Sequence, residues 1–226
     1  MMDTPSPLAE RLAAVEARIC KACARCGRLR EEVTLLAVTK IFPAQAILDA
    51  YALGLREFGE NYVQEFETKA PEVRSLAGAR FHLIGHLQSN KSRKGAELFD
   101  VIQTIDSAKL ARRLAESGKP MDVMIEVKLS EEDSKYGCAP ADVPALVEAI
   151  RAQKELTLKG LMTMPPWSDD AEVARPYFQR LSALAREVEV KGLSMGMSND
   201  LEVAIEEGST LVRVGTALFG RRKKAA

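Results

Sequence analysis

The amino-acid sequence predicts an α/β fold, a single (β/α)8 TIM barrel with an extra N-terminal helix. Eight short runs rich in apolar and β-branched residues recur along the chain, and a stretch with helical periodicity follows each of them. Short strands that are apolar throughout are typical of a parallel sheet covered by helices, and eight such units close naturally as a barrel. The chain has 226 residues, of which 46% are hydrophobic and 28% charged. That length and composition suit one domain over residues 1–226.

The elements follow from the pattern in chain order. Apolar residues at steps of three and four predict a helix over about residues 7–30, before a barrel over about residues 33–220. The eight predicted strands are TLLAVT (34–39), REFGE (56–60), FHLIG (81–85), VIQTID (101–106), DVMIEVKL (122–129), LTLKGLMTM (156–164), LSMGM (193–197) and LVRVG (211–215). The helices between and after them are predicted at about 43–53, from 61 onward, and at 89–98, 108–117, 140–153, 171–189 and 199–208, with a short last one.

An open, doubly wound sheet is the alternative arrangement of alternating strands and helices. Such a sheet normally carries a glycine-rich turn after its first strand. The turn here is KIFPAQ (40–45), which has no glycine. No shift in composition marks a linker between domains. The sequence therefore favours the closed barrel.

The charge balance argues against nucleic-acid and membrane partners. Lys and Arg together number 32, and Asp and Glu together number 32, so the formal net charge is zero. No apolar run approaches the roughly 18 residues of a membrane-spanning helix. The N-terminus, MMDTPSPLAERLAAVEARI, lacks the basic and apolar regions of a secretory signal. We therefore expect a cytoplasmic protein.

Two motifs have spacings that occur in metal sites, and a structural interpretation is favoured for both. Cys20, Cys23 and Cys26 have the C-x2-C-x2-C spacing of some metal sites, but they fall in a predicted helix, which turns them progressively apart. Small residues packed on a helix face are the favoured interpretation, with metal as the alternative. His82 and His86 lie on a strand, where four residues span about 13 Å, too far for one ion. His82 is instead expected inside the barrel and hydrogen-bonded.

Lys40 is the first candidate functional residue. Functional groups of parallel barrels lie at the carboxyl ends of the strands, and Lys40 directly follows the first one. Burial of its stem would lower the pKa of the amine and make it nucleophilic toward carbonyl groups. Lys40 is therefore a candidate for a Schiff base. The alternative is a structural ion pair with Glu60, at the end of the second strand.

The ends of the last two strands predict an anion site. Met197 is the last residue of the predicted seventh strand and Ser198 follows it, and serine is a favoured helix N-cap whose neighbouring amides bind anions. Gly215 and Thr216 follow the eighth strand, where barrels frequently bind phosphate. Plain helix capping and a turn would explain either element alone. Their occurrence on adjacent strands favours phosphate binding.

Arg213 lies within the last strand, between two valines. By alternation it faces the barrel interior, and a buried guanidinium needs an acceptor. A structural salt bridge is one option. A ring nitrogen of a ligand is the other.

A lysine after the first strand, a phosphate site after the last two and an inward arginine together describe a site for pyridoxal 5'-phosphate (PLP). The sequence resembles the pyridoxal phosphate homeostasis protein family, single-domain relatives of the alanine racemase N-terminal barrel. The matching segments extend over about residues 35–220: LLAVTK, FGENYVQE, FHLIGHLQSNK, GLMTM and LSMGMSNDLEVAIEEGSTLVRVGTALFG. Two residues depart from the family pattern, namely His86 where proline is expected and Tyr136 where a small residue is common.

The resemblance implies a covalent cofactor site. Lys40 would carry PLP as a Schiff base, Asn61 would lie near the ring and Arg213 would face the pyridine nitrogen. The cofactor-binding residues that it implies are Lys40, Asn61, Met197, Ser198, Arg213, Gly215 and Thr216. The partners expected are PLP itself and PLP-dependent apo-enzymes as recipients, with the protein a monomer or weak homodimer.

The resemblance also implies a non-catalytic role in intracellular PLP (vitamin B6) homeostasis. A racemase needs acid/base groups on both faces of the cofactor, and Lys40 serves one face. An arginine facing the ring nitrogen would keep it unprotonated and weaken the electron sink. The alternatives are a PLP-dependent amino-acid racemase or related enzyme, with an acid supplied by a tyrosine of a neighbouring copy, and a Schiff-base aldolase. The tyrosines of the chain are Tyr51, Tyr62, Tyr136 and Tyr177.

Overall fold

Eight parallel strands form a closed barrel in which every strand pairs with its neighbours in chain order. The computed structural model describes residues 6–130 and 136–220. The strands are β1 (Thr34–Val38), β2 (Glu57–Glu60), β3 (Arg80–Leu83), β4 (Val101–Ile105), β5 (Met121–Glu126), β6 (Leu156–Met162), β7 (Gly192–Ser194) and β8 (Leu211–Val214). Parallel pairing of β1 with β8 closes the ring. The predicted barrel and all eight predicted strands are confirmed.

The helices cover the outside of the barrel. They are α1 (Pro7–Arg25), α2 (Ala44–Ala52), α3 (Val63–Val73), α4 (Ser92–Leu98), α5 (Ala108–Ala115), α6 (Val143–Arg151), α7 (Arg175–Glu187), α8 (Leu201–Glu206) and α9 (Thr216–Phe219). Short 3-10 helices precede three of them, at Ser89–Lys91, Pro140–Asp142 and Ala171–Ala174. The predicted helices at 89–98, 140–153 and 171–189 are thus each divided into a 3-10 turn and an α-helix.

The N-terminal helix is shorter than the sequence predicted. Ser6 caps α1, since its hydroxyl accepts a hydrogen bond from the amide of Ala9 at 3.2 Å. The helix ends before Gly27, whose φ of 69° is a left-handed conformation that favours glycine. The residues to 30 were predicted as helix, and they instead form a turn that leads into a 3-10 helix, Arg30–Glu32. The buried face of α1 packs on α8 and α9.

The strand residues alternate between two apolar layers. Those facing outward join the helices in one large core. A much smaller apolar cluster lies inside the barrel and consists of Leu36, Val38, Ile84 and Leu211. Because Arg213 alternates with Val212 and Val214 in β8, it shares the inward face of Leu211. The interior is therefore partly polar.

Buried polar side chains connect across the barrel. The Nε2 group of Gln103 is 2.8 Å from Nδ1 of His82, and the hydroxyl of Ser194 donates to Oε1 of Gln103 at 2.6 Å. With Nδ1 as acceptor, the proton of His82 is assigned to Nε2, which bonds Glu57. Arg213 donates to the same serine hydroxyl at 2.7 Å. These hydrogen bonds confirm the expectation that His82 is buried and hydrogen-bonded.

The three cysteines that the sequence placed in the N-terminal helix differ in their surroundings. Cys20 is exposed, Cys23 is buried and Cys26 is partly buried. Cys26 directly follows the last residue of α1, and its thiol lies 3.2 Å from the carbonyl oxygen of Ala22 in the last turn of that helix. Within residues 6–130 and 136–220, no group of three or more His, Cys, Asp or Glu side chains is placed to hold a metal ion. In the same part of the chain, every helix is too short or too polar to cross a bilayer.

Candidate functional site

A cavity of about 320 Å³ opens at the carboxyl ends of the strands, the end at which parallel barrels carry their functional groups. Residues after β1, β2, β6, β7 and β8 contribute to its wall. The structure brings all seven residues of the sequence-based site to this one cavity: Lys40, Asn61, Met197, Ser198, Arg213, Gly215 and Thr216. Its volume lies within the usual range for a small-molecule site.

Lys40 enters the cavity from the turn after β1. The strand reaches this point through the inward residues Leu36 and Val38, and Lys40 itself is half-buried. Glu60 was the alternative partner for Lys40. In the structure its carboxylate forms an ion pair with Lys69 at 2.9 Å. Glu60 does not line the cavity, whereas Lys40 does.

The loop after β7 is shaped by two residues that sequence reasoning missed. Gly196 has φ 92°, and a Cβ there would lie 2.4 Å from the Cβ of Ala204, so only glycine fits. The buried carboxylate of Asp200 accepts a hydrogen bond from the amide of Met197 at 2.6 Å. Both residues lie within LSMGMSND (193–200), a segment that resembles the family, but no spacing rule points to either residue. They set the path of the loop at Ser198.

Ser198 joins the two loops that the sequence assigned to an anion. Its hydroxyl accepts a hydrogen bond from the amide of Ala217, in the first turn of α9, at 3.2 Å. Its carbonyl oxygen accepts another from Arg18 of α1 at 2.9 Å, and Arg18 also bonds Glu202 at 2.6 Å. The extra N-terminal helix therefore braces this side of the cavity. Local sequence patterns give no sign of that contact, because 180 residues separate Arg18 from Ser198.

Arg213 forms the buried end of the cavity. It donates two hydrogen bonds of 2.7 Å to the carbonyl and hydroxyl oxygens of Ser194, and one of 2.8 Å to the carbonyl oxygen of Thr163. Burial lowers its pKa to about 10, although nearby Asp200 and Glu126 oppose the shift. The guanidinium is thus still charged at neutral pH. Three of its five N–H groups meet these oxygens, and the others can donate to a ligand.

A second cavity of about 420 Å³ adjoins the first, with Asn61 and Met164 in both walls. His86 and Tyr136 meet here, with their ring centroids 3.8 Å apart and 8° between the ring planes. Glu126, at the end of β5, also lines this cavity. Burial raises its pKa to about 7, against an opposing contribution from Arg213. Sequence reasoning did not single out Glu126.

Glu126→Gln is expected to remove a pH dependence of stability. A carboxyl with its pKa raised from 4.5 to about 7 is not penalised below about pH 4.5, and its burial cost becomes complete above about pH 7. The free energy of unfolding of the unsubstituted protein should therefore fall across that interval by on the order of 2 kcal/mol more than that of the glutamine variant. Urea unfolding at pH 5 and pH 8 measures the difference. Equal pH dependence in both proteins would contradict the assigned burial cost.

Comparisons with known proteins match nearly the whole chain. The family model described as alanine racemase, N-terminal domain, matches residues 11–223. The pyridoxal phosphate homeostasis protein of Pseudomonas aeruginosa is 45% identical over 227 residues, covering 98% of this chain and 98% of that protein. The protein of the same name from Escherichia coli is 45% identical over 226 residues, covering 95% of this chain and 97% of that one.

Solved structures show the same architecture. PipY of Synechococcus elongatus, with PLP bound, superposes with a TM-score of 0.83 at 38% identity, covering 94% of this chain and 100% of that one. Alanine racemase of Clostridium difficile superposes with a TM-score of 0.73 at 13% identity, covering 99% of this chain and 61% of that one, a likeness of fold alone. Because the family match and the curated relatives both extend over nearly the whole sequence, the chain belongs to the pyridoxal phosphate homeostasis protein family, built on the alanine racemase N-terminal domain.

Proposed function

We propose that this protein binds PLP covalently through Lys40 and acts in intracellular PLP homeostasis without turning over a substrate. The observation that carries the proposal is the convergence of Lys40, Ser198, Thr216 and Arg213 on one cavity at the carboxyl end of the barrel. These are the groups that an aldehyde, a phosphate and a ring nitrogen require. The PLP bound to PipY, a relative at 38% identity, supports the same choice of ligand.

The residues present fit the cofactor. The cavity offers the primary amine of Lys40, a hydroxyl in the loop after β7 and another at the start of α9, and a buried guanidinium with further N–H groups. Gly215 lies in the cavity wall and has no side chain to keep a phosphate away from the backbone of the last turn. A molecule that carries an aldehyde, a phosphate and a pyridine ring matches each of these groups. PLP would supply an electrophilic aldehyde and a conjugated ring.

Lys40 would hold the cofactor. The neutral amine nitrogen attacks the aldehyde carbon, and a C=N bond forms with loss of one water. Ser198, Gly215 and Thr216 would bind the phosphate through hydroxyls and backbone amides. Asn61 and Met197 would contact the cofactor from the wall that they share with Lys40.

The groups around the cavity support a non-catalytic role. No tyrosine is found among the described residues that line the Lys40 cavity. Tyr62 and Tyr136 lie in the adjoining cavity and are largely exposed, while the hydroxyl of Tyr51 donates to Ala77. Arg213 is donor-only at neutral pH and would keep the ring nitrogen unprotonated. Racemisation needs an acid/base group on each face of the cofactor, and an unprotonated ring nitrogen makes the cofactor a weaker electron sink.

Trapping tests the covalent assignment. The protein purified with PLP should absorb visible light, and borohydride should bleach this absorbance and fix the cofactor to one peptide. Digestion and mass spectrometry should place the added mass on Lys40. A label on any other lysine, or no label, would contradict the proposal. Lys135, a second candidate from the sequence, lies outside the described residues.

The absence of turnover is a separate expectation. With PLP bound, the protein should neither racemise nor decarboxylate common amino acids faster than free PLP does. Chiral chromatography of alanine incubated with the holoprotein measures racemisation, and Lys40→Ala is the control. Turnover well above that of free PLP, lost in the control, would support the rival racemase function.

The cellular role follows as a proposal from the family. We place the protein in the cytoplasm, with PLP-dependent apo-enzymes as recipients of the cofactor. The net charge of zero fits a role without nucleic-acid partners. We propose that the protein is a monomer or a weak homodimer.

A further inference from the structure

The turn that carries Lys40 has an unusual backbone. Ile41, the next residue, has φ 71°, a left-handed conformation that β-branched residues rarely adopt. Ile41 is 59% exposed, so the packing of its side chain offsets little of the energetic cost of this conformation. Strain of this kind persists where surrounding contacts impose it, and it is concentrated at functional sites.

Three charged residues supply such contacts from behind the turn. Lys69 of α3 donates to Glu60 at 2.9 Å and to Glu65 at 2.7 Å. Glu60 and Lys69 are buried. We call these three residues the turn anchor. They do not line the Lys40 cavity.

The turn anchor bonds the residues on both sides of Lys40. Lys69 donates to the carbonyl oxygen of Thr39 at 3.0 Å, and the hydroxyl of Thr39 donates to Glu60 at 2.7 Å. On the other side, the amide of Ile41 donates to Glu65 at 2.5 Å. The residues on both sides of Lys40, Thr39 and Ile41, are therefore held by hydrogen bonds. The bond to Ile41 stabilises its left-handed backbone conformation.

We infer that Glu65 and Lys69 are positioning residues, which hold Ile41 in its left-handed conformation and so aim the Lys40 amine into the cofactor cavity. The inference rests on the proposed function, since the position of the amine matters only if it bonds the cofactor. The motif FGENYVQE (58–65) contains Glu60 and Glu65, which lie on the outer side of β2 and do not line the cavity. The positioning role gives these two residues a function. Without the turn anchor, Ile41 should leave its left-handed conformation, and the Lys40 amine should no longer point into the cavity.

The test compares an aldehyde with an alcohol. PLP needs the Lys40 amine, whereas pyridoxine 5'-phosphate has the same ring and phosphate but cannot form a C=N bond. Glu65→Ala is the chosen variant, because Lys69→Met would leave Glu60 buried without its cation and threaten folding. In titrations of apoprotein, Glu65→Ala should weaken PLP binding about tenfold, which corresponds to about 1.4 kcal/mol. Its affinity for pyridoxine 5'-phosphate should stay within about twofold.

Glycine provides the rescue. Ile41→Gly can adopt the left-handed conformation without strain, so adding it to Glu65→Ala should restore PLP affinity to within about threefold of the unsubstituted protein. Glu67→Ala is the matched control, since Glu67 lies on the same helix and its carboxylate contacts Lys94 at 2.9 Å. This control should bind both ligands normally.

The outcomes separate the inference from the proposed function. If Glu65→Ala binds PLP as tightly as the unsubstituted protein, or loses both ligands equally, the positioning role is wrong. The same holds if Ile41→Gly does not restore binding. If the unsubstituted protein gives no borohydride-reducible bond at Lys40, the proposed function fails, and the positioning role fails with it.

Discussion

Replacing Lys40 by alanine is expected to abolish the visible absorbance of the PLP-loaded protein and all borohydride labelling, while the barrel stays folded. The side chain is half-buried in the cavity wall, whereas the apolar contacts of β1 come from residues such as Leu36 and Val38. Removing the amine therefore removes the only bond that Lys40 would make to the cofactor, with little loss of packing. Absorption spectra and circular-dichroism melting curves measure the two effects.

Lys40→Arg separates charge from nucleophilicity. Arginine stays protonated at neutral pH and cannot attack an aldehyde, so this variant should lose the absorbance as completely as the alanine variant does. Both variants should retain weaker, non-covalent binding through the phosphate and ring contacts. A variant that keeps both its absorbance and its borohydride label would move the linkage to another lysine.

The second large effect concerns the phosphate. PLP and pyridoxal share the aldehyde and differ in the group assigned to Ser198, Gly215 and Thr216. Charge-assisted hydrogen bonds contribute roughly 1.5–3 kcal/mol each, so two or three should favour PLP over pyridoxal by at least about a hundredfold. A ligand that binds only the folded state stabilises it by RT ln(1 + [L]/Kd). PLP should therefore raise the melting temperature of the apoprotein at concentrations where pyridoxal has little effect.

Two substitutions test which groups bind the phosphate. Ser198→Ala combined with Thr216→Val should narrow the difference between PLP and pyridoxal, although backbone amides would preserve part of it. Equal shifts in melting temperature for the two ligands would show that the loops after β7 and β8 do not bind phosphate. Thr34→Val is a control at an exposed position at the start of β1, opposite the cavity end of that strand.

The sequence predicted the parts of the site that sit at the ends of strands. Lys40 and Arg213 could be placed because alternation and strand order determine where such residues face in a parallel barrel. Ser198 was predicted to cap the helix after β7, but α8 begins at Leu201 and the Ser198 hydroxyl instead accepts a hydrogen bond from Ala217 of α9, so its assignment to an anion site stays a prediction. The segments around Lys40 and Arg213 also resemble the family closely. The residues chosen from strand order and those implied by the resemblance were therefore the same.

Contacts between distant segments were beyond that reasoning. Neither the bond from Arg18 to Ser198 nor the bond from Glu65 to Ile41 follows from periodicity, since each joins side chains of one element to the backbone of another. The end of α1 was placed too late because the helical pattern continued past Gly27, whose left-handed conformation stops the helix. Glu126 escaped notice because a single acidic residue in an apolar strand has no spacing signal.

The brace from α1 to the loop after β7 has a consequence for how the protein is made. Arg18 is synthesised early, and its partners Ser198 and Glu202 follow 180 and 184 residues later. The pairing of β1 with β8 likewise joins an early segment to a late one. A chain still on the ribosome therefore has the Lys40 amine long before it has the loops that would bind a phosphate. A nascent chain should accordingly be unable to capture the cofactor until its last strand has emerged and paired.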